Sequence, residues 1–312
     1  MKINNKIGFH QEISFTKKLF KFDWLLLFLI FLLCVVGVGT LFSAADGNLY
    51  PWALKHFYRC CFGFFIIFLI GLIKPKFLLK YSYLFFICCI FSLIYVEFFG
   101  VGDVKRWIDL RFLYIQPSEL TKIALILFLA KYFNDFPVKQ NSFIYYIIPF
   151  IVVLIPTFFV MNQPDLGTGF MIFLLGVSLI FVVGLPWKVV FITLIIGLAS
   201  IPILWQQLYE YQKHRIIVFL NPHIDALGSG YQIMQSKIAI GSGGFFGKGY
   251  LLGSQNKLEY LPEKHTDFAF TLIAEEMGFI GSMLVLFLFF LLILRIYKNY
   301  FLLSNLPNKI IV

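Results

Sequence analysis

An all-α, polytopic transmembrane helix bundle of about eight spans with one long extracytoplasmic loop is the fold predicted by this 312-residue sequence. Three observations carry that prediction. Hydrophobic residues make up 60% of the chain, against roughly 45–50% in soluble domains, so the surplus apolar surface must face lipid. Charged residues are only 13%, about half the soluble norm, and they cluster between apolar runs. The runs are long, and a hydrocarbon core ~30 Å thick needs about 20 apolar residues per helix.

Taken in order, a basic N-terminal arm (1–22) precedes one membrane domain (23–297), and a short basic and polar tail follows (298–312). The predicted spans are Trp24 to Ser43, Phe57 to Ile73, Phe77 to Phe98, Glu119 to Phe133, Phe143 to Met161, Gly169 to Leu185, Val189 to Trp205 and Phe268 to Ile296. Ser43-Ala44-Ala45 faintly suggests a signal-peptidase site, but the apolar stretch before it is too long for a signal sequence and is read as a span. The five cysteines (Cys34, Cys60, Cys61, Cys88, Cys89) lie in or beside apolar runs without metal or disulfide spacing. They read as small packing residues. The 40 phenylalanines are given no functional weight.

Lysine and arginine in the short loops set the orientation. Lys2, Lys6, Lys17, Lys18 and Lys21, then Lys74, Lys76 and Lys80, then Lys131 and Lys139, then Arg295 and Lys298 all fall on one side, which places both termini in the cytoplasm. Lys105, Arg106 and Arg111 stand on the outer side against that bias, which marks them for work on an anionic ligand. The net charge of +10 comes without a basic, aromatic-interleaved stripe on a soluble segment, so nucleic acid is excluded as a partner and membrane lipids or an anionic lipid substrate fit better. The only long connection, 206–266, is outer, glycine-rich and aromatic. Such loops concentrate function, and short amphipathic or re-entrant helices are expected within it.

Four clusters carry chemistry. The first joins Lys105-Arg106-Trp107 to Gln116-Pro117-Ser118-Glu119-Leu120-Thr121-Lys122. Pro117 suits the first position of a helix, and Glu119 and Lys122 share one helix face. They form either a packing ion pair or a phosphate site with Lys122 as the cation and Glu119 as its holder. Trp107 is also read as an interfacial anchor. The second cluster, Gln163-Pro164-Asp165-Leu166-Gly167-Thr168, aims another helix N-terminus at the outer side, with Asp165 serving either its own helix dipole or a ligand. The third lies in the long loop: Arg215, then Gly228-Ser229-Gly230-Tyr231-Gln232, Lys237, Gly241-Ser242-Gly243-Gly244 and Gly247-Lys248-Gly249. Its glycines and lysines suit phosphate oxygens or flexible turns equally. It is not a Walker A loop, because Ser242 stands at the first glycine and Gly249 follows the lysine. The fourth is Leu261-Pro262-Glu263-Lys264-His265-Thr266-Asp267-Phe268, with Glu275-Glu276 and Gly278 downstream. Asp267 reads either as an N-cap or as a general base beside His265.

Together the strings QPSEL, QPDLGT, GYQIMQSKIAIGSGG and LPEKHTDFAF resemble the family of RodA, FtsW and SpoVE from about Trp24 to Ile296, with RIIVFLNP and the GKG after the glycine run closer to RodA. The resemblance implies a glycosyltransferase of the bacterial cytoplasmic (inner) membrane that polymerises lipid II into glycan strands during cell-wall elongation. It also implies a class B penicillin-binding protein and other elongation-complex membrane proteins as partners. It makes Asp267 the catalytic residue and Trp107, Glu119 and Lys122 important to the site. Arg106, Lys122, Arg215, Lys237 and Lys248 are then the cation pool for the departing pyrophosphate, with Asp165 and His265 at the substrate. No cofactor is demanded, though a divalent cation, Mg or Mn, could share the neutralisation. The family has about ten spans against about eight here. A truncated, non-catalytic scaffold of the elongation or division machinery therefore stands as one alternative, and a lipid II flippase with Glu119 and Lys122 lining its path as another.

Overall fold

The computed structural model describes residues 22–100, 105–109, 114–136, 144–163, 165–184, 187–254 and 265–302. The basic arm up to residue 21, Arg111, Lys139, Pro164, Glu263, Lys264 and the tail from residue 303 lie outside the described residues.

Within the described residues every predicted span is helical, the last with a break. The first three are α1 (Trp24–Ala44), α2 (Ala53–Leu72) and α3 (Pro75–Phe99). Then come α4 (Pro117–Asp135), α5 (Ile144–Asn162), α6 (Leu166–Val182) and α7 (Trp187–Gln207). The long connection contributes α8 (Glu210–Leu220), a 3-10 turn (Pro222–Asp225) and α9 (Ser229–Gly243), so short helices do occupy it. The last helix is α10 (Ala269–Leu302). Among the described residues, five helices are long and apolar enough to cross a membrane: α1, α2, α3, most of α5 and α10. At 17 residues α6 is shorter, and α4 carries Glu119, Lys122, Lys131 and Asp135 along its length.

Helix starts follow local chemistry. Asp23 caps α1 by accepting from Leu26 N–H at 3.1 Å, and Pro75 and Pro117 occupy the first turns of α3 and α4, where a missing N–H costs nothing. Two features depart from the sequence reading. A two-stranded antiparallel ribbon, Ile108–Asp109 with Tyr114–Ile115, pairs Ile108 with Ile115 ahead of α4; strands this short carry no readable alternation. The last span also runs past Ile296 to Leu302 and is not one helix, because Gly278 breaks it with φ 64° and ψ −158°.

The break at Gly278 is filled by the glycine-rich segment after α9. Phe279 N–H donates to Gly244 O at 2.9 Å and Ile280 N–H to Phe245 O at 3.2 Å, while Lys248 and Gly249 N–H donate to Glu275 and Glu276 O, each at 3.0 Å. Backbone groups inside an apolar environment must find partners, and this exchange supplies them on both sides of the break. A Cβ at Gly247 would lie 2.1 Å from Glu276 O, and one at Gly278 would lie 2.3 Å from Gly247 N. Both positions also have positive φ, so the approach requires glycine on each side.

The chain divides into two units, Met1–Leu72 with His214–Arg295, and Ile73–Lys213 with Ile296–Val312. In the second unit α3 packs on α4 and α5 on α6, around a core that includes Phe86, Leu93, Leu125, Leu129, Val153 and Ile172. Gly176 lets α6 approach α5, since a Cβ there would meet Val153 Cγ2 at 2.3 Å; small residues serve this purpose between helices in lipid. In the first unit, Arg295 of α10 pairs with Asp23 at 2.8 Å. Phe57, Phe62 and Phe65 on α2 and Phe287 and Phe290 on α10 are all exposed, as lipid-facing surfaces require.

Candidate functional site

In the second unit, the first two sequence clusters meet. Arg106 donates from Nε to Gln163 O at 3.2 Å, and its Nη1 stands 3.6 Å from Asp165 Oδ2. Asp165 also caps α6, accepting from Thr168 N–H at 3.2 Å, so the capping and charge-pairing readings hold together. Gln163 is buried and donates from Nε2 to Leu93 O at 3.0 Å, tying the end of α5 to α3. The Gln-Pro pattern marks this glutamine in the sequence, but not its bond to α3.

On α4, Lys122 Nζ lies 2.8 Å from Glu119 Oε1, as the three-residue spacing predicts, with Glu119 56% and Lys122 30% exposed. A deeply buried pair is not what the fold builds; the pair is open on one side, where an ion pair contributes little to stability and a cation stays accessible. Trp107 is exposed beside the ribbon.

In the first unit, the last cluster is arranged around the start of α10. Asp267 is exposed and precedes the first helical residue by two, while the carbonyl accepting the first helical bond, from Leu272 N–H, belongs to Phe268. The cap position is therefore not Asp267. Among the described residues no hydrogen bond or ion pair engages its carboxylate, which leaves it available to a substrate hydroxyl. His265, two residues earlier, stacks on Trp52 with ring centroids 4.4 Å apart and planes at 10°; its buried Nδ1 makes no hydrogen bond. Trp52 had no signal in the sequence, because the stack joins distant parts of the chain.

Lys248, read from sequence as a phosphate cation, is held from within the protein. Its Nζ lies 2.7 Å from Glu275 Oε1 and 2.6 Å from Ser254 Oγ, and Ser254 also donates to Glu275 at 3.0 Å. Glu275 is 1% exposed. Glu276, buried as well, accepts from Ser43 Oγ of α1 and from the N–H groups of Leu251 and Gly253. Tyr250 donates to Gly39 O of α1 at 2.7 Å; burial, with the Glu276 carboxylate adding, pushes its phenol above the usual range and keeps the donor proton in place. Arg215 on α8 and Lys237 on α9 are exposed, and no ion pair holds either among the described residues. They are the uncommitted cations of the predicted pool.

The chain matches the cell cycle protein family model FtsW/RodA/SpoVE over residues 17–311. It is 38% identical over 273 residues to the peptidoglycan glycosyltransferase MrdB of Escherichia coli strain K12, covering 86% of this chain and 73% of the relative. A probable peptidoglycan glycosyltransferase FtsW of Wigglesworthia glossinidia brevipalpis is 37% identical over 302 residues, covering 91% and 77%. Among solved structures, a peptidoglycan synthase complex that coordinates polymerization and crosslinking matches with TM-score 0.78 at 29% identity, over 93% of this chain and 82% of that one. The rod shape determining protein RodA of Thermus thermophilus matches with TM-score 0.64 at 25% identity, over 93% and 79%. With a family match running nearly end to end and the helical fold shared, this protein belongs to the FtsW/RodA/SpoVE family.

Proposed function

We propose that this protein is a peptidoglycan glycosyltransferase that polymerises lipid II into glycan strands on the outer side of the bacterial cytoplasmic membrane, in the elongation that maintains cell shape. The observation that carries the reading is Asp267: an exposed carboxylate, free of any capping duty, held between a stacked histidine and the start of a helix.

The reaction forms a bond between a sugar hydroxyl oxygen and the anomeric carbon of the lipid-linked sugar, and breaks the bond from that carbon to the pyrophosphate. Asp267 takes the hydroxyl proton as general base. Undecaprenyl pyrophosphate leaves with the electron pair, and cations placed where its charge develops lower the barrier. Arg215 and Lys237, in the same unit as Asp267, are in no ion pair among the described residues; Lys122 and Arg106, in the other unit, enter the pool on their sequence motifs alone, and each keeps about a third of the side chain exposed beside an acidic partner. Mg or Mn would share the neutralisation, a role that chelation tests. A crosslinking transpeptidase of the class B penicillin-binding type is the proposed partner, supported by the likeness to a complex that couples polymerization to crosslinking, together with other elongation-complex membrane proteins. Both termini are placed in the cytoplasm on the lysine distribution.

The test is polymerisation of purified lipid II by the reconstituted chain, with and without such a transpeptidase. Glycan strands are expected. Their absence, under conditions where the Escherichia coli relative makes them, overturns the reading in favour of a scaffold, and lipid II crossing the bilayer without polymer overturns it in favour of a flippase.

A further inference from the structure

Asp267 has no side-chain partner to aim it among the described residues, yet a general base must sit within hydrogen-bond reach of the proton it takes. The backbone on either side of it is held by contacts that the described residues do show. Upstream, the His265–Trp52 stack holds the chain two residues before it. Downstream, the short helical segment 269–277 begins two residues after it and ends in Glu275 and Glu276, just before the break at Gly278. Both glutamates are buried, at 1% and 4% exposure, and both point to partners outside that helix. Glu275 meets Lys248 and Ser254 of the glycine-rich loop, and Glu276 meets Ser43 of α1. The same loop returns to α1 through Tyr250 and Gly39.

We propose that the Lys248–Glu275 ion pair and the Ser43–Glu276 hydrogen bond are positioning contacts for the Asp267 carboxylate, with Lys248 acting through Glu275 rather than on the departing pyrophosphate. The proposal rests on the glycosyltransferase reading and assigns that site three further residues, Ser43, Glu275 and Glu276. Lys248 has three ammonium protons, and two of them are spent on Glu275 and Ser254 at 2.7 and 2.6 Å. Packing alone does not call for this chemistry, since apolar side chains of similar volume fill such a site at lower desolvation cost. What charge adds is register: the segment 269–277 must satisfy both glutamates together with the two backbone bonds that Glu275 O and Glu276 O accept from Lys248 and Gly249 of the loop. A displacement of about 1 Å at a reacting group costs on the order of 10²-fold in rate.

The experiment uses the full chain reconstituted in bilayers, as wild type, Glu275→Gln, Lys248→Met, the double variant and Lys248→Arg. Turnover and KM for lipid II are measured per folded molecule, and backbone amide exchange is followed across 265–277. Glu275→Gln and Lys248→Met are each expected to lower kcat about 10- to 100-fold with KM unchanged and faster exchange in that segment. The double variant is expected to be no worse than the poorer single, as for two residues acting as one unit, and Lys248→Arg is expected to recover activity. A raised KM in Lys248→Met, with Glu275→Gln at wild-type kcat, overturns the proposal and puts Lys248 on the substrate. Wild-type kcat in both folded variants overturns it in favour of packing. Should Lys248→Met fail to fold, Glu275→Gln and Ser43→Ala, both close in shape to the originals, decide the same question. If the wild type makes no polymer, the exchange arm still speaks. Faster exchange at 265–277 supports the contacts while the glycosyltransferase reading falls, and unchanged exchange overturns them.

Discussion

Arg106 holds Asp165 from the ribbon side, Nη1 to Oδ2 at 3.6 Å, while its Nε donates to the Gln163 carbonyl at 3.2 Å. One guanidinium thereby binds the turn between α5 and α6 to the segment ahead of α4. Gln163 extends the connection to Leu93 of α3. Two sequence clusters that share only a Gln-Pro pattern become one structural feature, and Asp165 serves it twice, as a cap and as a counter-ion.

Those two duties of Asp165 separate by substitution. Asn caps a helix about as well as Asp, so Asp165→Asn keeps the bond from Thr168 N–H and loses only the charge beside Arg106, at a cost under about 1 kcal/mol for a partly exposed pair. Asp165→Ala loses both, and is expected to cost about 1 kcal/mol more. Unfolding in bicelles compares the two; equal losses would mean that the cap carries nothing.

Asp267→Asn is expected to leave insertion and folding near wild type, because among the described residues it removes neither a cap nor an ion pair. Polymerisation should fall by about 10²–10⁴-fold, since an amide cannot take the hydroxyl proton. The measurement is glycan-strand formation from lipid II by equal amounts of folded protein. Near-normal strands from the Asn variant would remove Asp267 from the chemistry.

Exchanging Glu119 and Lys122 should change stability little. A half-open pair three residues apart on a helix contributes about 0.2–0.5 kcal/mol, and its acidic member is 56% exposed. Activity is the more telling readout: with Lys122 at the pyrophosphate, the folded exchange variant should lose at least about tenfold in turnover. Full turnover would leave the pair structural.

Gly278→Ala is expected to cost at least ~1–3 kcal/mol from backbone strain alone, and more because the added methyl would lie 2.3 Å from Gly247 N. Gly63→Ala in α2 is the control, since nothing lies within 4 Å of a Cβ there. Thermal melts of the two variants in detergent should diverge, with Gly63→Ala at or above wild type. A silent Gly278→Ala would contradict the interlock of the loop with α10.

The lysine distribution predicts the side of the long loop. A reporter that works only outside the cytoplasm should be active when fused at Asn256 and inactive at either terminus. The reverse pattern would invert the orientation and take the substrate side with it.

The sequence by itself determined the helices and where several of them start. Hydropathy is a sum over neighbouring residues, and lipid demands apolar runs of fixed length, so the eight apolar runs were legible as helices, five of them long and apolar enough to cross a membrane among the described residues, as were the Pro117 helix start and the Glu119–Lys122 pair, whose geometry a single helix dictates. What only the tertiary structure decided is every relationship between distant segments. The last apolar run reads as one helix because nothing local in it opposes a helix except one glycine, and the break at Gly278 exists because residues 244–249 arrive to pair its freed backbone groups. Lys248 reads as a free cation until Glu275 is placed 2.7 Å away. Asp267 reads either as a cap or as a general base until the helix is seen to begin at Ala269. For Gly278 and Lys248 the choice is made by a partner brought in by packing, which no window of neighbouring residues contains.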